Sequence, residues 1–169
     1  MAKRTNHYDV AFEEYLRNVR TPYVAVDETR RALLSQASLK SMDFIVYSAR
    51  QRNLLVDVKG RRFPSGGESQ NHKWENWATG DDLDSLLQWE DVFGGDFRAV
   101  LVFAYDVVNP HWLDQFDACF EFRNRTYAFY GVWLSDYREK QRQRSASWET
   151  VCLPSAEFRR LKKPIAEFL

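Results

Sequence analysis

Leu54-Leu55-Val56-Asp57-Val58-Lys59-Gly60 is the stretch on which the reading of the chain turns. It is apolar and β-branched until two charges interrupt it, and Arg61 and Arg62 follow. Side chains alternate between the faces of a strand, so Asp57 and Lys59 share one face while Val56 and Val58 point into the core. Upstream, Met42-Asp43-Phe44-Ile45-Val46-Tyr47-Ser48 is a second strand-like run that opens on an acid. If the polar segment from Ala49 to Asn53 turns the chain, the two runs form a hairpin. Asp43 opposite Asp57 would then bring the two Cβ atoms to about 5 Å. Carboxylates that close repel unless a cation or a shared proton lies between them. Two readings of Asp57 and Lys59 stay open. They can form a strand-end ion pair, worth about 0–1 kcal/mol when exposed, with Asp43 a solvated residue. Alternatively, Asp57 can be a metal ligand beside a lysine that handles the attacking water. Lys59 is expected at the exposed end of its strand, where its removal would spare the fold.

Outward from this hairpin, Tyr8, Phe12, Tyr15, Leu16 and Val19 fall on one helical stripe, which predicts a helix from His7 to about Asn18, with Pro22 at the exit. Glu14 lies nearly opposite the stripe and Glu13 on its flank, so Glu13 is the acid able to reach a site on the sheet beneath. Tyr23 to Asp27 reads as a strand, and Thr29 to Ala37 as its extension or a turn of helix. After Gly60 the sequence predicts a long loop, Arg61 to Gly80, carrying His72, Trp74 and Trp77; loops of that length are often functional. Asp81 to Phe93 is a second helix, with Asp81 or Asp82 as cap and Gly94-Gly95 at its end. Between Asp81 and Asp96 there are six acids and no base, a face expected to repel phosphates. Arg98 to Val108 suits a buried parallel strand. Phe120 to Arg123 and Thr126 to Leu134 suit a hairpin across Asn124-Arg125. Asp136 to Arg144 reads as a basic helical segment, Trp148 to Leu153 as a strand and Pro154 to Leu161 as a short helix.

The composition narrows the classes. The chain of 169 residues has 24 Lys and Arg against 24 Asp and Glu, which counts against a protein that coats nucleic acid through a global positive charge but leaves room for a local basic groove. Cys119 and Cys152 have no CxxC partner, and His7, His72 and His111 are scattered, which argues against zinc. The charged N-terminus and the shortness of the longest fully apolar run, Ala99 to Tyr105, argue against a signal peptide or a membrane span. A soluble cytoplasmic protein is expected.

An acid opening one strand, Asp-x-Lys on the next and an acidic helix before both resemble the PD-(D/E)XK nucleases, on Glu13 (or Glu14), Asp43, Asp57 and Lys59, with Met42 where the family name has proline. The likeness covers about the first 105 residues. His7-Tyr8-Asp9-Val10-Ala11-Phe12-Glu13 also resembles the signature of the bacterial HYExAFE family, with Asp9 in place of its first glutamate. The nuclease resemblance implies an α/β, restriction-endonuclease-like αβββαβ core with a mixed central sheet over residues 7–108. C-terminal strands and a short helix over 109–169 would complete one domain. It implies metal-dependent phosphodiester hydrolysis: Asp43, Asp57, a backbone carbonyl near position 58 and Glu13 would hold Mg²⁺ or Mn²⁺ through oxygen ligands, while Lys59 orients the water or stabilises developing charge. The implied partner is nucleic acid, DNA ahead of RNA, and a homodimer is compatible with it. Arg50, Arg52, Arg61 and Arg62 flank the motif and would suit phosphate contacts. Trp74 and Trp77 are the candidates for base stacking, with packing as their other role. Two further readings stand beside the nuclease: a nuclease-like fold kept as a binding or regulatory module without turnover, and a structural protein whose Asp57-Lys59 pair is accidental.

Overall fold

A computed structural model describes residues 6–27, 32–34, 37–50, 52–66 and 74–169. Its first element is α1, His7–Asn18, capped by the Asn6 side chain, which accepts the Tyr8 N–H. Short strands β1 (Tyr23–Ala25), β2 (Ala32–Leu34), β3 (Ala37–Leu39) and β4 (Phe44–Val46) lead to β5 (Asn53–Phe63). After β6 (Ala78–Thr79) come α2 (Gly80–Phe93) and β7 (Phe97–Val107). Strands β8 (Phe120–Phe122) and β9 (Arg125–Trp133), α3 (Leu134–Lys140), β10 (Arg142–Ser145), β11 (Thr150–Cys152), α4 (Ser155–Leu161) and β12 (Lys163–Pro164) complete the chain. The helix, strand, strand, strand, helix, strand order expected of the core is present, with the β2–β3 hairpin inserted after the first strand.

The main sheet runs β1-β4-β5-β7-β9-β12, with β8 on β9. It is mixed: β5 and β7 pair in parallel along their whole length, and the other ladders are antiparallel. Parallel central strands are buried on both faces and therefore read as unbroken apolar runs. Strand alternation then sorts the residues. Leu54, Val56, Val58, Val100, Val102 and Ala104 pack with Phe12 and Leu16 of α1. Leu55, Phe63, Ala99, Leu101, Phe103 and Tyr105 pack with Leu83 and Leu86 of α2. Gly60 of β5 is required by this arrangement: a Cβ there would stand 2.1 Å from the Tyr8 ring of α1.

The structure corrects several local expectations. Strand β5 continues through Arg61 and Arg62 to Phe63, so the first three residues of the expected loop belong to the sheet. Residues 67–73, with His72, lie outside the described residues, as do 28 and, of the segment read as strand or helix, 29–31, 35 and 36. Helix α2 is capped by Thr79, whose side chain accepts the Asp82 N–H at 3.2 Å, and not by Asp81 or Asp82. The β8–β9 turn sits one residue earlier than expected: Arg123 and Asn124 both take positive φ, 48° and 60°, which supplies the twist that glycine commonly provides in tight hairpins. The basic segment from Asp136 to Arg144 is helical only to Lys140 and then becomes β10.

Candidate active site

The β4–β5 register pairs Phe44 with Val56, Ile45 with Leu55 and Val46 with Leu54. The paired register ends at Phe44 and Val56, and beyond it the Asp43 N–H donates to the Val56 carbonyl at 2.9 Å, a bond offset by one from that register. Asp43 thus sits at the β4 edge of β5, beside Val56 and Val58. Strand β5 outruns β4, and the N–H of Val58 would face that gap without a backbone partner. The Asp43 carboxylate fills it, Oδ2 accepting the Val58 N–H at 2.5 Å. Asp43 is 5% exposed, so it is no solvated strand opener.

The face that carries Asp57 and Lys59 is covered by the first turn of α2. Lys59 Nζ donates to Asp82 Oδ2 at 2.7 Å and lies 2.8 Å from Asp57 Oδ2. The Asp57 oxygen is buried and sits off the line of a hydrogen bond, so it has charge compensation but no hydrogen-bond partner. Lys40 extends the chain of charges, with Nζ 2.8 Å from Asp82 Oδ1 and 3.2 Å from Asp81 Oδ2. The Asp57 and Lys59 side chains are 16% and 14% exposed. The pair is therefore not the exposed strand-end bridge, and Lys59 is not at a free end. Burial pulls the Lys59 pKa down, but the Asp57 and Asp82 charges outweigh it and hold the ammonium above the ordinary lysine value. Burial likewise favours protonated Asp82, yet Lys59, together with hydrogen bonds from Lys40, Lys59 and Thr79, keeps that carboxyl well below its usual range. Lys59 is an ammonium at neutral pH and cannot act as a proton acceptor there.

Lys59 thus bridges Asp57 and Asp82, and Lys40 bridges Asp81 and Asp82. A small cleft of about 30 Å³, lined by Lys40, Met42, Asp57, Asp82, Ser85 and Trp89, opens beside Asp57, room for one or two water-sized ligands. Among the described residues, no group of three or more His, Cys, Asp or Glu is disposed to hold a metal ion. A buried Asp57 oxygen lacking a hydrogen bond, with the Asp43 carboxylate on the neighbouring Val58 N–H, still suits a hard cation such as Mg²⁺, which binds through one or two carboxylates and otherwise keeps its waters.

The other predicted residues disperse. Glu13 accepts from Tyr23 Oη at 2.9 Å and from Arg17 at 3.0 Å, on the α1 face of the sheet, so the sheet lies between it and the Asp57 carboxylate. Glu14 pairs with Arg17. Trp74 packs inside, its ring 4.9 Å from those of Phe63 and Phe116 and 5.1 Å from Tyr105, so packing is its role. Trp77 is covered by Arg61 at 3.9 Å, and Arg144 lies 5.3 Å from its ring. Arg61 also donates to the carbonyls of Gly60 and Trp77, which leaves it an internal clamp and not a phosphate contact. Arg62 is exposed. Arg50 and Arg52 precede β5 and line a different groove. Sequence reasoning missed Asp82 and Lys40 as members of the cluster. Thr79-Gly80-Asp81-Asp82 has the S/T-x-x-acid form of a helix start, with Asp82 at the third helical position; that signal could have found the first of them. Nothing local marks Lys40.

This architecture is the restriction-endonuclease-like fold. The chain is similar to the Holliday junction resolvase Hjc of Archaeoglobus fulgidus, an archaeal hyperthermophile, with a TM-score of 0.56 over 96% of this chain and 97% of that one, at 14% sequence identity. No family model matches the sequence, and no curated protein matches it either. The likeness of the N-terminus to HYExAFE therefore remains one of motif.

Proposed function

We propose that the protein is a metal-dependent phosphodiester hydrolase acting on nucleic acid, with Asp43, Asp57 and Lys59 at its centre. The observation that supports this reading is that adjoining strands bring the three residues near one another: the Asp43 carboxylate accepts the Val58 N–H, between Asp57 and Lys59, and Lys59 Nζ lies 2.8 Å from Asp57. The fold shared with a junction resolvase supports it, although a fold alone does not assign an activity. Asp43, Asp57 and the Val58 carbonyl, on the strand edge whose N–H meets Asp43, would hold Mg²⁺ or Mn²⁺. The ion would neutralise phosphate oxygens and acidify a bound water. Lys59, kept protonated by Asp57 and Asp82, would stabilise charge that develops on the phosphorus centre. Asp82 is then a positioning residue, which aims the ammonium from the helix side. DNA is the expected substrate ahead of RNA.

The test is cleavage of single-stranded, duplex and branched DNA, and of RNA, with Mg²⁺ or Mn²⁺ present. Wild-type protein is expected to cut at least one of them, and Asp57→Asn to lose about 10²–10³-fold in rate. Equal cleavage by wild type and Asp57→Asn would defeat the proposal. A second reading, a binding module without turnover, is favoured by one observation: Lys59 is already held between two carboxylates. Wild-type protein that binds one of these substrates and cuts none would select it.

A further inference from the structure

On the opposite face of the sheet, a groove of about 600 Å³ is lined by Arg50, Arg52, Arg98, Trp133, Lys163 and Phe168, with Glu167 its one acid. Three separate pieces of chain bring the cations together: the β4–β5 turn, the start of β7 and β12. The groove is built and braced. Ser48 Oγ donates to the Phe168 carbonyl at 2.7 Å and accepts the Arg50 N–H at 3.1 Å, which ties the turn to the C-terminal segment. Phe168 seats over Gly131, where a Cβ would stand 2.6 Å from its ring, and packs on Trp133 at 4.7 Å. The Arg98 guanidinium lies 3.9 Å over the Trp133 ring and donates to Ser135 Oγ at 3.2 Å.

The charges set this groove apart. Several cations elsewhere on the surface meet carboxylates: Arg17 with Glu13, Lys40 with Asp82, Arg125 with Asp106, Arg138 with Asp84, Arg160 with Glu157. Arg50, Arg52, Arg98 and Lys163 meet none among the described residues, and Arg50, Arg52 and Lys163 are exposed. Unpaired cations that converge on a concave surface attract anions, and field lines concentrate there.

We infer that this groove grips the phosphodiester backbone of nucleic acid away from the Asp57–Lys59 centre. The inference rests on the proposed nucleic-acid hydrolase and adds a holding site to it. Arg52 stands seven positions before Lys59, roughly 23 Å along the strand, so a strand held here is a part of the substrate other than the bond being cut. Backbone phosphates fit better than a nucleotide. The cations are spread along an open groove, and both Arg98 and Phe168 lie on Trp133, so it offers little surface for a base. Contacts of this kind position a substrate without reading its sequence.

The experiment is an anisotropy titration of labelled single-stranded and duplex DNA from 50 to 200 mM salt, with wild type and Arg50→Ala/Arg52→Ala. A circular-dichroism melt of each protein verifies the fold, and Lys163→Ala serves as a second, exposed probe. The double variant is expected to bind about tenfold more weakly. Its slope of log K against log salt should be shallower by about 1.8 for duplex, since each phosphate that an arginine neutralises adds about 0.9. Unchanged affinity and slope in a folded double variant would overturn the inference. Tripolyphosphate and ATP form the other arm. Tight binding of either that the double variant loses, with DNA binding unaffected, would overturn the backbone assignment in favour of a free phosphate ligand. The two proposals fail separately. Asp57-dependent cleavage with unaltered binding in the double variant sinks only the groove, and groove-dependent binding without cleavage sinks only the hydrolase.

Discussion

The two ends and faces of β5 handle charge in opposite ways. On the α2 side, Asp57 and Lys59 sit in a closed chain of ion pairs that runs through Asp82 to Lys40 and Asp81. On the α1 side, at the start of the strand, Arg50, Arg52, Arg98 and Lys163 converge with no carboxylate partner among the described residues. Paired and buried charges produce a weak field outside but a strong, oriented one within. Unpaired and exposed charges do the reverse. The first arrangement suits chemistry on one bond, and the second suits holding a polyanion. A chain with no net charge can thus keep a local basic surface where several cations converge with a single acid among them.

The largest effect that sharpens this contrast is expected at Lys59. Its side chain is the cation between Asp57 and Asp82, so Lys59→Ala leaves two carboxylates with one compensating charge removed. Breaking a buried pair in this way costs about 3–5 kcal/mol, or roughly 10 °C in melting temperature for a chain of this size. The sequence-based expectation that Lys59→Ala would spare the fold is therefore reversed. Mn²⁺ should raise the melting temperature of Lys59→Ala more than that of wild type, because an ion that binds the folded state stabilises it by mass action. A Lys59→Ala protein that melts with wild type would mean that the pairing holds nothing together, and the contrast between the two faces would lose its structural half.

A smaller effect is expected in acid. Asp82 has a folded pKa below its ordinary value of 3.8. A depressed carboxyl contributes stability that is present above the unfolded value and is lost as pH falls through the folded one. Wild-type melting temperature should therefore drop below about pH 4 more steeply than that of Asp82→Asn. Parallel acid limbs for the two proteins would remove Asp82 from the ion-pair chain.

Much of this was legible in the chain. Helix α1 matches its predicted limits because Phe12 and Leu16 repeat at helical spacing and both are buried. The β4–β5 hairpin was readable because its register follows from the apolar alternation on either side of the turn. The seven-residue gap from Arg52 to Lys59 also held its answer, since a strand of that length cannot bring both ends to one site. Local signals could not show that α2 folds over Asp57 and Lys59, because that contact depends on Leu83 and Leu86 reaching the core beneath. Neither could they show that Glu13 would be claimed by Tyr23 and Arg17, or that Trp74 would join the ring cluster of Phe63, Tyr105 and Phe116. Those outcomes are decided by packing across the sheet.

The most direct test of the central claim is a crystal structure grown with Mn²⁺ and read at the manganese absorption edge. Anomalous density is expected between the Asp43 and Asp57 carboxylates, next to the Val58 carbonyl, together with its loss in Asp57→Asn. A well-ordered crystal with no manganese there, and with the Lys59 ammonium still bound to Asp57 and Asp82, would contradict the claim.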